Sequence, residues 1–223
     1  RDSKPAPDIK TGTLIGQRYT IGRRLTHSIG DASYMARQVA LDRPVVIHVF
    51  GQLDSSDRDS ERRFQAEVNA LTRLRHDHVV SILDHGQLSG GSRYIVCEPP
   101  DGETLESALA RGRIGLEDTI RVSLDICSAL EESHRLGILH QNIKPSNIVI
   151  TATSSGIRAK LKGFGFHNYR TAVNDAANVS VMSGRPETIK DASRDLHGLG
   201  TVMYQCLTGH SVHSVAHSTA LER

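Results

Sequence analysis

Three short β-favouring segments follow one another between Tyr19 and Phe50, with only turn-like sequence between them. They read YTIGRRL, ASYMARQVAL and PVVIHVF, and the last turn is LDRP. Consecutive strands joined by short connections pair antiparallel, because a parallel crossover needs about a dozen residues or more. The sequence therefore predicts an antiparallel meander at the start of the folded region.

Helical sequence becomes more frequent further along the chain. Residues 61–74 predict a first helix, residues 116–137 a long one and residues 194–207 a last one. Four more strands are predicted, in HVVSILDHG, SRYIVCE, NIVIT and RAKLK. A strand-rich first part followed by a mainly helical second part indicates an α+β fold.

The long helix has an apolar face formed by Ile120, Leu124, Cys127 and Leu130. Apolar residues on one side are typical of a helix that packs against a core. Its C-terminal end is predicted at Gly137, because glycine readily takes the left-handed conformation that ends many helices.

Proline, glycine and polar residues mark the boundaries along the chain. Residues 1–18 are polar and broken, so they are predicted to form a leader or linker. Residues 19–98 predict a β-rich lobe and residues 99–102 a hinge at a Pro/Gly boundary. Residues 103–223 predict a mainly helical lobe.

Composition excludes several classes of protein. The 223 residues carry 27 Lys and Arg against 25 Asp and Glu, and a formal charge of +2 gives no reason to expect nucleic acid as a partner. No stretch is apolar enough to span a membrane, so a membrane tether is possible only outside this chain. Three widely separated cysteines without a CxxC pattern favour a reducing compartment. We therefore expect a cytoplasmic protein, or the intracellular part of a larger one.

The segment ILHQNIKPSNIVI at residues 138–150 resembles the catalytic loop of protein kinases, H-R-D-x-K-x-x-N. Other motifs of that family match in the same order, and their spacing is similar to that of bacterial Ser/Thr protein kinases. They are YTIGRRLTHSIGDASYMA for the glycine-rich loop, VVIH for V-A-I-K, Glu67 for the helix glutamate, GFG at 163–165 for D-F-G, Pro186-Glu187 for A-P-E, and Asp195 for the aspartate that ties down the catalytic loop.

The resemblance implies a bilobal protein-kinase-like fold with a β-rich N-lobe and a mainly helical C-lobe. The chain ends soon after the helix that Asp195 opens, so the C-lobe is expected to be truncated after this αF-like helix. The resemblance also implies roles for individual residues, and many of those positions are altered in this chain.

The nucleotide-binding positions of the N-lobe are changed. Thr26, Ser28 and Asp31 stand where the three loop glycines belong, unless Gly30 serves with the register shifted by one. Glycine allows the backbone to approach phosphate closely. His48 stands at the position of the phosphate-binding lysine and could instead pair with Glu67.

The positions implied to contact adenine are altered as well. Val46 replaces the small alanine above the ring, and Ser33 replaces a valine. Cys97 takes the gatekeeper position, and a carbonyl contact from Glu98 could survive. Pro100 falls where a backbone N–H normally donates, and proline has no N–H.

The catalytic positions of the C-lobe have lost their carboxylates. Asn142 stands at the position of the general base, and Gly163 at that of the metal-binding aspartate. Asn147 remains, but one neutral amide is a poor site for Mg²⁺. Lys144 also remains and is read as a solvent-facing or loop-pinning residue.

Two other groups of residues could bind a ligand or supply charge. His210, His213 and His217 could share a helical face and bind a metal, but a solvated tail is the preferred interpretation. Lys160 and Lys162 flank GFG, and a relocated lysine could replace the charge missing at His48.

The sequence as a whole predicts a degenerate kinase-like domain, a pseudokinase, that binds a protein partner or couples attached domains. No cofactor and no metal are expected. The alternative is a weakly active or noncanonical ATP-dependent Ser/Thr protein kinase, for which Mg-ATP would be the cofactor. A decayed chain without function is the third alternative.

Overall fold

A computed structural model describes residues 6–28, 31–51, 68–154, 156–164 and 189–212. The chain divides into two units. The first comprises Arg1–Arg75, Val80–Pro99 and Gly165–Ser183, and the second comprises His76–Val79, Pro100–Phe164 and Gly184–Arg223.

The first unit contains a six-stranded sheet in the order β1-β2-β3-β4-β6-β5, with every neighbouring pair antiparallel. This order confirms the predicted meander, because β2, β3 and β4 are neighbours and consecutive. The strands are β1 Leu14–Ile15, β2 Tyr19–Ser28, β3 Asp31–Gln38, β4 Arg43–Phe50, β5 Ile82–Gln87 and β6 Arg93–Cys97.

The core of this unit lies on one face of the sheet. Alternate residues of β4 point into it, namely Val45, Ile47 and Val49, each with no exposed surface. Tyr34 of β3 and Val96 of β6 pack in the same cluster. The other face of β4 is covered as well, since Val46 is 5% and Phe50 3% exposed, so the period of two residues assigns side chains to faces but does not separate buried from exposed ones.

The segment before β2, predicted as a leader or linker, packs against this unit through Ala6 and Ile9 and joins the sheet at residues 14–15. β1 pairs with β2, and Ile15 is buried at 2% exposure. The backbone N–H of Ile9 donates to the Tyr34 hydroxyl at 3.1 Å, and that of Gly12 donates to the carbonyl of Ile21 at 2.7 Å. A two-residue strand is too short for a periodic signal, which is why the sequence does not reveal it.

The second unit combines a small sheet with three helices among its described residues. The sheet is antiparallel in the order β7-β8-β9. The elements are β7 Glu103–Thr104, α1 Leu105–Leu109, α2 Leu116–Arg135, a 3₁₀ turn Pro145–Asn147, β8 Ile148–Thr153, β9 Gly156–Leu161 and α3 Ile189–Thr208. Together with the β-rich first unit, these helices confirm the α+β prediction.

The predicted face of α2 is wrong at three of its four residues, because Ile120 is 47% exposed, Leu124 is 65% exposed and Cys127 is exposed, and it is right only at Leu130. The buried face instead runs along Thr119, Val122, Ser123, Ile126, Ala129, Leu130 and Ser133. The three hydroxyls in that set bond to helix carbonyls, Thr119 to Gly115, Ser123 to Thr119 and Ser133 to Leu130, at 2.7–3.0 Å. A hydroxyl satisfied in this way can be buried at little cost.

The C-terminal end of α2 confirms its prediction. Gly137 has φ +74°, and its N–H donates to the carbonyl of His134. The N–H of Ile138 donates to the carbonyl of Ser133 at 2.8 Å, which completes a glycine-ended helix terminus.

The structure describes the other predicted elements only in part. Of the helix predicted over 61–74, residues 68–71 are helical, and residues 61–67 lie outside the described residues. β5 begins at Ile82, four residues later than predicted, because His76–Val79 belong to the second unit, where Val79 bridges Leu161. Within the described ranges, no helix combines the length and apolarity needed to cross a membrane.

Candidate functional site

The altered positions fall into two sets, one in each unit, and each set is described by itself. In the first unit, β4 carries Val46 and His48 on the face opposite its core residues. Val46 pairs in register with Met35 and Cys97, and His48 with Ser33 and Ile95. The antiparallel register thus brings together, on three strands, the positions that the resemblance implies for adenine contact.

Burial decides the chemistry at Cys97. The side chain is 4% exposed, and burial, with the nearby charge of Glu98, raises the pKa of the thiol to about 12. The Cys97 thiol is therefore an apolar packing group and not a nucleophile. Val46, 5% exposed, fills the adjacent position with a larger side chain than alanine.

Hydroxyls occupy the strand ends that lead to the glycine-rich loop position. The hydroxyls of Thr26 and Ser33 hydrogen-bond each other across β2 and β3. Ser28 pairs in register with Asp31, so two residues separate the strands. The side chain of Ser28 and the whole of Gly30 lie outside the described residues.

The residue before the hinge is held by two hydrogen bonds. The N–H of Glu98 donates to the carbonyl of Ser81 at 3.0 Å, and the N–H of Ser81 donates back to Glu98 Oε1 at 3.2 Å. The division between the units falls between Pro99 and Pro100. Gly102, at φ +119°, lies so close to the carbonyl of Ile150 that a Cβ would not fit there.

In the second unit, Asp195 of α3 is completely buried and accepts three hydrogen bonds. The donors are His134 Nε2 at 2.8 Å, the N–H of His140 at 2.9 Å and the N–H of Gln141 at 2.6 Å. We call these four residues the Asp195 cluster. Burial alone would raise the pKa of Asp195, but the bonds from His134 and the two backbone groups outweigh it, and the pKa is lowered.

His140 extends this cluster towards β9. Its Nδ1 accepts from the N–H of Asn142 at 3.3 Å, so Nε2 carries the proton and donates to the carbonyl of Lys162 at 3.0 Å. The ring also meets Phe164 edge-on, with centroids 4.6 Å apart. The imidazole is therefore a structural link between the catalytic-loop segment and the end of β9.

A second group lies beside it, which we call the Asn142 cluster: Asn142, Lys144, Asn147, Lys162 and Gly163. Asn147 Nδ2 donates to the carbonyl of Asn142 at 2.8 Å, and the N–H of Lys162 donates to the carbonyl of Asn147 at 2.9 Å. Gly163 has φ +91°, which glycine adopts without strain. The sequence-predicted catalytic and metal positions are thus neighbours, and the retained amide of Asn147 is engaged by the loop itself.

Two lysines of the Asn142 cluster have different surroundings. Lys144 is exposed, and its carbonyl accepts from the N–H of Asn147 at 2.9 Å. Lys162 is half-buried, and its pKa is lowered mainly by burial, with Glu106 raising it and the charge of Lys144 lowering it further. The sequence indicated Lys162 as a relocated cation but not its burial.

The Asn142 cluster does not fit a divalent metal, because it contains two amides, two ammonium groups and a glycine. Mg²⁺ in phosphoryl-transfer sites is held through carboxylate oxygen. In the part of the chain that the structure describes, no three His, Cys, Asp or Glu side chains are grouped to hold a metal ion.

Several predicted positions lie outside the described residues, including Glu67, Pro186, Glu187, His213 and His217. The pairing of His48 with Glu67 therefore stays a prediction. His210 is described, and its Nδ1 contacts the carbonyl of Thr208 at 3.0 Å. Sequence reasoning missed His134, whose bond to Asp195 spans 61 positions and leaves no local signal.

Comparisons with known proteins agree with the motif order. The chain is 31% identical over 211 residues to the Ser/Thr-protein kinase PknB of Mycobacterium tuberculosis, covering 89% of this chain and 34% of the relative. It is 28% identical over 224 residues to the Ser/Thr-protein kinase pkn3 of Myxococcus xanthus, covering 92% of this chain and 40% of that relative. The chain thus spans well under half the length of these relatives.

Solved structures agree on the fold. The crystal structure of the PknI kinase domain of Mycobacterium tuberculosis matches with a TM-score of 0.70 at 21% identity, over 92% of this chain and 79% of that one. A family model described as the protein kinase domain matches residues 28–222. With these matches and the ordered motifs, the chain belongs to the protein kinase family, and its homologues are bacterial Ser/Thr kinases.

Proposed function

We propose that this kinase domain does not transfer phosphate and acts as a binding, regulatory or scaffolding module for a protein partner or for attached domains. The observation that carries the proposal is the make-up of the Asn142 cluster. An amide stands at the base position, and a glycine stands at the position of the metal-binding carboxylate.

The chemistry of phosphoryl transfer supports this reading. Asn142 can orient a hydroxyl, but it cannot accept its proton at neutral pH, and the loss of a positioned base typically costs about 10²–10⁴-fold in rate. Gly163 offers no side-chain oxygen ligand, and His48 lacks the fixed charge of lysine. The losses affect proton transfer, metal binding and charge neutralisation together.

The hydrogen bonds of the Asp195 cluster support a folded binding module over a decayed chain. The buried carboxylate of Asp195 keeps all three of its donors, and His140 keeps its contacts to Asn142, Lys162 and Phe164. A chain drifting without function has no reason to retain a buried charge that needs several partners. We further propose a cytoplasmic location, no nucleotide or metal cofactor and no nucleic-acid partner.

The second candidate is a weakly active or noncanonical ATP-dependent Ser/Thr protein kinase. It is supported by the kinase names of the homologues and by the retained Lys144 and Asn147. Under this reading Mg-ATP would be the cofactor.

A transfer assay distinguishes the two candidates. The purified chain is incubated with Mg-ATP and a generic protein acceptor, and phosphate incorporation is compared with a Lys144→Met variant prepared in parallel. We expect equal background signals from both proteins, because neither transfers phosphate. A signal from a contaminating kinase would also be equal in both, since it does not respond to the substitution. Incorporation that is abolished by Lys144→Met or by Asn142→Ala would refute the proposal and favour the active kinase.

A further inference from the structure

A four-residue segment of the second unit lies along β9 and is held there by backbone and side-chain contacts. For His76–Val79 the chain belongs to the second unit, whereas the residues on both sides belong to the first. Val79 bridges Leu161 of β9, and the N–H of Leu161 donates to the carbonyl of His78 at 2.8 Å. We call these four residues the 76–79 segment.

The outer edge of β9 needs such partners. β9 has one strand neighbour in its sheet, β8, and an edge strand presents backbone groups that must be bonded elsewhere. The N–H of Ala159 donates to Asp125 Oδ2 of α2 at 2.8 Å, and that of Leu161 donates to the 76–79 segment. Asp125 and the 76–79 segment therefore share the task of completing this edge.

The imidazole of His78 lies between two acceptors. Its Nδ1 is 2.8 Å from the carbonyl oxygen of Ala159, and its Nε2 is 3.4 Å from Asp125 Oδ1. A neutral imidazole carries one proton and can donate to one of these oxygens, whereas an imidazolium donates from both nitrogens. The side chains of His78 and Asp125 are 17% and 21% exposed, so water replaces a missing bond only in part. The geometry thus favours the protonated ring.

His76 has the opposite requirement. Its Nδ1 accepts from the N–H of His78 at 3.2 Å, which a protonated nitrogen cannot do. Its Nε2 then carries the proton and donates to Ser128 Oγ at 3.2 Å. The ring centroids of the two histidines are 5.5 Å apart, so positive charge on both is unfavourable. His78 is therefore the histidine of this pair that gains from a proton.

Asp125 is the carboxylate in contact with the His78 ring. Glu132 and Arg121 of α2 act at one remove, because Glu132 lies within electrostatic range of His76 and Arg121 within range of Asp125. The other charged groups are on β9 and on the segment itself, namely Arg158, Lys160 and Asp77, with Arg158 at 3.7 Å from Asp77. The direct contact identifies Asp125 as the residue to change in a test.

We infer that His78 and Asp125 form a proton-dependent contact, which fixes the 76–79 segment to α2 and β9 more firmly when the His78 ring is protonated. Histidine ordinarily exchanges its proton near pH 6.5. A folded state that favours the protonated ring loses this contribution to stability as the pH rises through that range. The inference does not rest on the proposed function, because these residues belong to neither the Asp195 cluster nor the Asn142 cluster.

The test compares Asp125→Asn with the wild-type full chain at about pH 5.5 and about pH 8, on either side of the usual histidine range. Asparagine keeps an oxygen for the N–H of Ala159, but its NH₂ group can donate to a neutral imidazole and opposes a protonated one. We expect the hydrogen-exchange protection of the Leu161 amide, measured by NMR, to fall about tenfold at the lower pH, the loss of one charge-assisted bond. At the higher pH the change should stay within about twofold.

Two further variants serve as controls. Asp77→Asn removes the same charge from the same segment, but from a side chain that is 88% exposed, so its effect should stay within about twofold at both pH values. His78→Asn removes the titrating ring, so the Asp125→Asn substitution added to it should cause no pH-dependent loss. The melting temperature of each variant shows that it is folded.

Three results would overturn the inference: equal effects of Asp125→Asn at both pH values, the same pH dependence in Asp77→Asn, or a pH dependence that persists in His78→Asn. If Asp125→Asn does not fold, the comparison of the wild type with His78→Asn decides. A pH dependence of Leu161 protection that disappears with the ring supports the inference, and one that remains contradicts it.

Discussion

The Asp195 cluster and the Asn142 cluster lie side by side in the second unit, yet they differ in burial and in chemistry. Asp195 has no exposed surface and accepts bonds from His134 and from two backbone groups. Asn142 and Lys162 are half-buried, and Lys144 is exposed. The Asp195 cluster keeps the residue types that the family resemblance implies at Asp195 and His140. The Asn142 cluster lacks the two carboxylates that the resemblance implies at Asn142 and Gly163.

The difference teaches that fold and chemistry depend on separate residues. A buried carboxylate is tolerated only while its donors are in place, so a change at Asp195 disturbs the whole loop. A side chain at the edge of the cluster can change with little effect on stability. A kinase domain can therefore lose its reactive groups and remain folded, provided that its buried polar frame is intact.

The largest expected effect is that of Asp195→Asn. The amide keeps one acceptor, but its NH₂ group would face an N–H donor, and the charge that strengthens the bonds is lost. We expect a loss of about 3 kcal/mol in the free energy of unfolding, which lowers the melting temperature by about 6–12 °C. Urea denaturation monitored by circular dichroism measures this free energy of unfolding. A loss below about 1 kcal/mol would contradict the claim that the Asp195 cluster supports the fold more than the Asn142 cluster does.

The next effect is the pH dependence of that loss. The pKa of Asp195 is lowered in the folded protein, so the unfolded state binds its proton first as the pH falls. The contribution of Asp195 to stability is thus full above the unfolded pKa of about 3.9 and disappears as the pH falls through the folded value.

The difference in stability between the wild type and Asp195→Asn should therefore be constant from about pH 8 to pH 5 and shrink below about pH 4. Urea titrations of both proteins at matched pH values measure it. If the difference in stability between the two proteins shrinks already near pH 6, the titrating group is a histidine of the Asp195 cluster and not Asp195.

Much of the fold could be predicted from local sequence patterns. The meander follows from alternating strands such as PVVIHVF, and the end of α2 follows from Gly137. The face of α2 could not be predicted from apolar spacing, because the buried side includes Ser123 and Ser133, whose hydroxyls are satisfied by the preceding turn. A count of apolar residues treats such serines as exposed.

The candidate site was predictable to the extent that it depends on motif order. The positions of Asn142 and Gly163 follow from the resemblance to the catalytic loop and to D-F-G. The bond from His134 to Asp195 and the burial of Lys162 depend on the approach of α2, α3 and β9, which no local pattern encodes. Tertiary contacts, and not spacing, decide which polar residues are structural.

The smallest expected effect is that of Asn142→Asp, which restores the carboxylate in the Asn142 cluster. The new charge lies in a half-exposed setting on a segment that also carries Lys144, so we expect a gain in stability of less than about 1 kcal/mol. Phosphate transfer should stay at background, because Gly163 and His48 still leave the metal and the nucleotide without their charged partners. Denaturation and the transfer assay on this one variant measure stability and phosphate transfer.

A stability change as large as that of Asp195→Asn would show that the Asn142 cluster also supports the fold. Transfer restored by this substitution alone would show that the changes at Gly163 and His48 do not prevent catalysis.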